Sequence, residues 1–113
     1  MFQKSLEIGY LLDFYGELLS ERRRIVLDMY YNEDMSLSEI ADALGITRQG
    51  ARDLIKKAGD ELLIFEEKLG MAEKFRLLCD CSERAECIIK EDLTESSRNE
   101  LLGIVKEIRQ IIE

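Results

Sequence analysis

Histidine is absent from this chain of 113 residues, and so is proline. The first absence removes the commonest general base and a common metal ligand. No glycine-rich phosphate loop occurs, and no nucleophile stands beside a base. The carboxylates are spread over helix exteriors rather than converging, which is the pattern of a solvated charged face. These absences predict a protein that is not an enzyme, with no catalytic residue, no cofactor and no small-molecule substrate. The three cysteines, Cys79, Cys81 and Cys87, are too few for closed four-ligand zinc coordination, and Cys79 and Cys81 point to different sides of a helix. They read as buried or half-buried reduced thiols, and no metal site is assigned. No segment approaches the ~20 uncharged apolar residues that span a bilayer. The N-terminal Met1-Phe2-Gln3-Lys4-Ser5 lacks the apolar core of a signal peptide. The expected location is the cytoplasm, without membrane insertion.

What is present is a charged, helix-forming chain. A hydrophobic fraction of 46% beside a charged fraction of 35% suits amphipathic helices with densely charged outer faces. The length fits one domain, or one small domain with a helical extension. A net charge of −8 opposes general attraction to nucleic acid, but its distribution is uneven. Residues 1–59 hold 8 basic and 10 acidic side chains, whereas residues 60–113 hold 8 and 14. Within residues 47–57 there are four basic groups and one acid, so a local positive face survives.

That positive face belongs to the most informative stretch. Ser36 followed by Glu39 makes a capping box and predicts a helix start, with Leu37, Ile40, Ala41 and Leu44 on one apolar face. Gly45 stops this helix, because the residue past a helix end often needs a positive φ. Ile46 plugs the turn and Thr47 caps the next helix. The second helix buries Ala51, Leu54, Ile55 and Ala58, and its other side carries Arg48, Gln49, Arg52, Asp53, Lys56 and Lys57. Residues 36–58 therefore read as a helix-turn-helix, whose second helix can enter a major groove.

Upstream, residues 6–19 form a packing helix with a stripe of Leu11, Phe14, Tyr15 and Leu18. Ser20 caps a second helix running to about Tyr31, with Ile25, Val26, Met29 and Tyr30 on its apolar face. Arg22, Arg23 and Arg24 lie near its start, where they oppose the helix dipole. Either they contact phosphates beside the recognition helix, or they form a solvated face with one arginine paired to Glu21 or Asp28. Downstream, Ile55, Ala58, Leu62, Phe65, Leu69 and Ala72 step by three and four residues. This seam extends the recognition helix to about Leu69, with Gly70 as its end. A further helix covers residues 71 to about 90, burying Phe75, Leu78, Cys79, Ile88 and Ile89. Thr94 or Ser97 caps a last helix bearing Leu101, Ile104, Val105, Ile108, Ile111 and Ile112. That strip needs a cover, either the other long helices or a second copy, so a homodimer is expected. The expected organisation is a unit of residues 1–70 containing the helix-turn-helix, and a helical hairpin of residues 71–113 for packing or dimerisation.

Leu12-Asp13-Phe14-Tyr15-Gly16-Glu17-Leu18-Leu19, Tyr30-Tyr31, Ser36-Leu37-Ser38-Glu39-Ile40-Ala41, Thr47-Arg48-Gln49 and Glu66-Glu67-Lys68-Leu69 together resemble the bacterial YlxM family of helix-turn-helix proteins. The resemblance covers about residues 1–75. The tract of residues 18–63 is also similar to the promoter-reading fourth region of sigma factors. This implies an all-α, wing-free helix-turn-helix fold with Arg48, Gln49 and Arg52 on the base-facing side, followed by a long helix and a C-terminal helical extension. The family is typically encoded beside the GTPase of the signal recognition particle, which implies a role in, or regulation of, that protein-targeting pathway. Gly50 and Ala51 depart from the family pattern, standing where alanine and a β-branched residue are usual.

Two functions follow as expectations. The first is a regulator that binds duplex DNA. Thr47 would open the reading helix, Arg48 and Gln49 would contact base edges or phosphates, Arg52 and Lys56 would follow the groove wall, and Arg22, Arg23 and Arg24 would hold phosphates. The alternative is a protein- or RNA-interaction module, with signal recognition particle components among its expected partners, that keeps the scaffold without binding DNA. The acidic C-terminal helices favour it, because they would steer a basic partner.

Overall fold

The computed structural model describes residues 4–91 and 93–113. Met1, Phe2 and Gln3 of the N-terminal stretch read above, and Asp92, lie outside it. Six α-helices and no strand occur among the described residues, so no β-wing follows the helix-turn-helix. The chain divides into two compact units, residues 1–70 and residues 71–113.

In the first unit, α1 (Leu6–Tyr15) starts where Ser5 Oγ accepts the Ile8 N–H at 3.3 Å, and it buries Leu11, Leu12 and Tyr15. A 3-10 turn at Gly16–Leu18 replaces the last turn that the sequence pattern predicted. Helix α2 (Glu21–Leu27) is capped by Ser20, and its Val26 and Leu27 have no exposed surface. The predicted continuation to Tyr31 is a π-helical turn at Asp28–Asn32, closed by the Glu33 N–H on Asp28 O at 2.9 Å. Asn32 Nδ2 donates to the Asp28 carboxylate at 2.8 Å and holds the widened turn from its surface. The turn buries Tyr30 and sets Tyr31 where its hydroxyl accepts the Ser5 N–H at 3.3 Å.

Helix α3 (Leu37–Leu44) has both halves of the capping box, each at 3.1 Å, between Ser36 and Glu39. It ends at Gly45 with φ 67°, where Ile46 N–H reaches Ala41 O at 3.0 Å and Gly45 N–H reaches Asp42 O. Helix α4 (Arg48–Leu69) is 22 residues long and ends at Gly70 with φ 61°. It packs on α1, α2 and α3 through Ala51, Ile55, Ala58 and Leu62. Fully buried Val26, Leu27, Ile40 and Leu62 centre this core, and burying such a side chain contributes about 1.5–3 kcal/mol. Tyr15 fastens the far end of α4, with its hydroxyl donating to Glu66 Oε1 at 2.5 Å and its ring 6.0 Å from that of Phe65.

The second unit is a hairpin of α5 (Met71–Ile89) and α6 (Glu95–Ile112). Thr94 rather than Ser97 caps α6, its Oγ1 accepting the Ser97 N–H at 3.1 Å. Ala72, Cys81 and Ile104 are buried, with Leu78, Ala85 and Ile88 of α5 and Leu101, Ile108 and Ile111 of α6 half-buried. The expected burial of Phe75, Cys79 and Ile89 is not found, and all three are exposed. Helix α5 carries two apolar stripes on different faces, and the one through Cys81 is turned inward. Of the predicted α6 strip, Val105 and Ile112 remain exposed. Among the described residues no helix is long and apolar enough to cross a membrane.

Candidate nucleic-acid interface

The first three turns of α4 are built by local rules. Thr47, extended at φ −76° and ψ 159°, turns its Oγ1 back to accept the Gly50 N–H at 2.9 Å, which fixes where the helix begins. A Cβ placed on Gly50 would stand 3.0 Å from that same oxygen, so glycine leaves the cap its room. The apolar seam then fixes the rotation. Because Ala51, Ile55 and Ala58 face the core, Arg48, Gln49, Arg52, Asp53, Lys56 and Lys57 are exposed. Gln49 Nε2 donates to Asp53 Oδ1 at 2.9 Å, which orients the amide and leaves its oxygen outward.

Two depressions flank this edge. A larger cleft of about 880 Å³ is lined by Arg48, Gln49 and Arg52 together with residues 34–39, Lys4 and Tyr30. Lys4 was not foreseen here, since it is distant in sequence and on no motif. It forms an ion pair with Asp34, and its Nζ lies 5.0 Å from the Tyr30 ring centroid. The hydrogen bond from Lys4 lowers the Asp34 carboxyl below its usual range, and the lysine charge adds to the effect. Burial raises the Tyr30 phenol, with Tyr31 acting the same way and Lys4 opposing. Asp34 has φ 53°, a left-handed conformation that aspartate tolerates better than most residues. The smaller depression, about 210 Å³, is lined by Arg22, Ile46, Gly50, Asp53, Leu54 and Lys57. Arg22 and Lys57 thus stand on the other side of the helix start.

The arginine run is dispersed. Arg22 joins the α4 edge, whereas Arg23 is held by Glu61 further along α4. Arg24 lies in a separate depression with Asp13, Glu17 and Asp28. The three therefore do not form one phosphate-binding row. Lys56 is set apart as well, near Glu7, Tyr31 and Asp60 on the side facing α1. The residues brought together are Arg22, Thr47, Arg48, Gln49, Arg52 and Lys57, with Lys4 across the cleft.

Charge is divided along α4. Residues 48–57 carry four basic groups and one acid, and residues 60–69 carry Asp60, Glu61, Glu66 and Glu67 against Lys68. The first unit as a whole holds 9 basic and 14 acidic side chains, a net −5 over residues 1–70. At 1.5 Å rise per residue, Asp60 lies about 12 Å along the axis from Arg52, beyond a Debye length of about 8 Å at physiological salt. Arg52 is consequently screened from the acidic half, whereas Lys56 and Lys57, about 4.5–6 Å along the axis from Asp60, are not. Both ends oppose the helix dipole, a layout that costs a few tenths of a kcal/mol per exposed charge. Among the described residues no cluster of histidine, cysteine, aspartate or glutamate is arranged to hold a metal ion.

Residues 2–103 match the family model described as UPF0122, "Putative helix-turn-helix protein, YlxM / p13 like". The chain is 40% identical over 104 residues to the UPF0122 protein of Thermoanaerobacter sp. strain X514, covering 91% of this chain and 88% of the relative. It is 51% identical over 72 residues to that of Acetivibrio thermocellus, covering 64% and 62%. To that of Clostridium novyi strain NT it is 32% identical over 111 residues, covering 95% and 93%.

Proposed function

We propose, from the premise that this chain belongs to the UPF0122 family of YlxM/p13-like helix-turn-helix proteins, that it is a regulatory protein whose α4 enters the major groove of duplex DNA by its first turns. Arg48 and Gln49 read base edges, and Arg52 follows the groove wall. Arg22 and Lys57 take phosphates on one flank, and Thr47, which sets the helix start, can donate its hydroxyl hydrogen to another. The supporting observation is the concentration of exposed cations at the end of α4 where the helix dipole disfavours them. The family resemblance supports placing this activity in, or in control of, the signal recognition particle pathway. The exposed Val105 and Ile112 support a homodimer formed through the hairpin.

A second reading draws on the net −5 of residues 1–70, which disfavours polyanions away from the α4 edge. In it the same scaffold binds a protein component of that pathway and no DNA. One experiment separates the two. The full chain and its Arg48→Ala/Arg52→Ala variant are titrated with random duplex DNA at two salt concentrations. The DNA reading expects binding at low salt with a log–log salt slope of about −0.9 per phosphate contacted, lost in the variant. Absence of binding at low salt would favour the second reading.

A further inference from the structure

We infer that the groove between α5 and α6 is a docking site for a basic amphipathic helix of a partner protein. This inference is independent of what α4 binds. The groove has a volume of about 600 Å³. Asp80 and Glu83 edge it from α5 and Glu100 and Glu107 from α6, with Ile88, Gly103 and Ile104 between them. Arg84 reaches across to bind Glu107 and lies 3.8 Å from Asp80. Glu83 and Glu100 make no ion pair among the described residues. Four carboxylates against one guanidinium give −3, and residues 71–113, with 7 basic and 10 acidic side chains, also sum to −3. The groove therefore carries a charge equal to that of the whole unit.

Gly103 supplies a second, independent observation. It sits inside α6, where glycine weakens a helix relative to alanine, and a Cβ built on it would meet nothing within 4 Å. Nothing inside the protein calls for its small size. The missing side chain opens the apolar strip between the carboxylates to close approach, as a helix seated in a groove requires. Apolar side chains of such a helix would lie on Cys87, Ile88 and Gly103 above the buried Ile104, and its flanking lysines or arginines would meet Glu83 and Glu100. An extended basic strand would leave the apolar strip uncovered, and a nucleic acid would be repelled. A second copy of this chain is a poor occupant, because its basic helical stretches, residues 22–24 in α2 and residues 48–57 in α4, belong to helices whose apolar seams are buried in its own core.

The test uses the full chain and a synthetic helical peptide with leucines at three- and four-residue spacing flanked by lysines. Affinity is read by fluorescence anisotropy at low and physiological salt. Salt-sensitive binding is expected, falling at least ten-fold in Glu83→Gln/Glu100→Gln and in Gly103→Leu. The glycine variant is also expected to raise the thermal midpoint, so its loss of binding cannot come from unfolding. Val105→Ser, on the opposite flank of α6, is expected to bind as the parent does. The inference is overturned by no binding, by equal binding of a peptide with its leucines replaced by serine, by undiminished affinity in both groove variants, or by loss in Val105→Ser.

Discussion

Arg23 on α2 and Glu61 on α4 form an ion pair across 38 residues of sequence, with side chains 36% and 27% exposed. This pair ties the second helix to the middle of the long one, and a stabilising role is proposed for Arg23. Arg23→Ala is expected to lower stability by about 0.5–1 kcal/mol, the upper part of the range for partly exposed pairs. Chemical denaturation reads that loss. The salt slope of DNA binding should be unchanged in Arg23→Ala and reduced by about one contact in Arg22→Ala. A reduced slope in Arg23→Ala would return that residue to the binding surface.

Thr47 and Gly50 are coupled through one oxygen. Thr47→Ala is expected to cost about 1 kcal/mol by removing the helix cap. Gly50→Ala should yield less than the ~1 kcal/mol normally gained in a helix interior, because the new Cβ meets Thr47 Oγ1. In the Thr47→Ala background the full gain should reappear. A double-mutant cycle by denaturation measures this coupling, and strict additivity would show that the close approach has no energetic weight.

Asp53 is the sole acid among residues 47–57 and the partner of Gln49. Asp53→Ala removes a repulsive charge and releases the amide. Affinity for random duplex should rise several-fold while discrimination between sequences falls. Competition titrations with specific and random DNA would detect this, and unchanged binding to both would place Asp53 and Gln49 outside the contact.

The Lys4–Asp34 pair gives an acid-side signature. A carboxyl whose folded pKa is lowered below its ordinary value near 3.8 contributes stability above that value and loses it as pH falls through the lower folded value. Wild type should therefore lose more stability between about pH 4 and pH 2 than Lys4→Ala does. Thermal midpoints across that window test the difference, and parallel curves for the two proteins would remove the pair from the account.

Much of the helix-turn-helix was legible because its signals are local. The capping box at Ser36 and Glu39, the positive φ at Gly45 and the cap at Thr47 each need only three or four neighbouring residues. The length of α4 was legible from the seam that runs to Leu69 and from Gly70. The π-helical turn at Asp28–Asn32 was not, since no composition distinguishes it from a further α-turn. The burial of Tyr30 was legible from the apolar face of the second helix, but the approach of Lys4 over its ring was not. Glu61 as the partner of Arg23 depends on how α2 crosses α4, which sequence spacing does not encode. In α5, the stripe with Phe75 and Ile89 and the stripe with Cys81 and Ile88 are comparably apolar, and only packing against α6 chose between them.

Helix α4 is at once the central strut of the first unit and its outward edge, with no hinge between Ile55 in the core and Arg52 on the surface. Recognition by such an edge is that of a preorganised die. Little conformational entropy is lost when a target seats on it, and little adaptation is available when the target does not fit. Any ligand held there also braces the element on which folding depends, so occupancy should register directly as an increase in melting temperature.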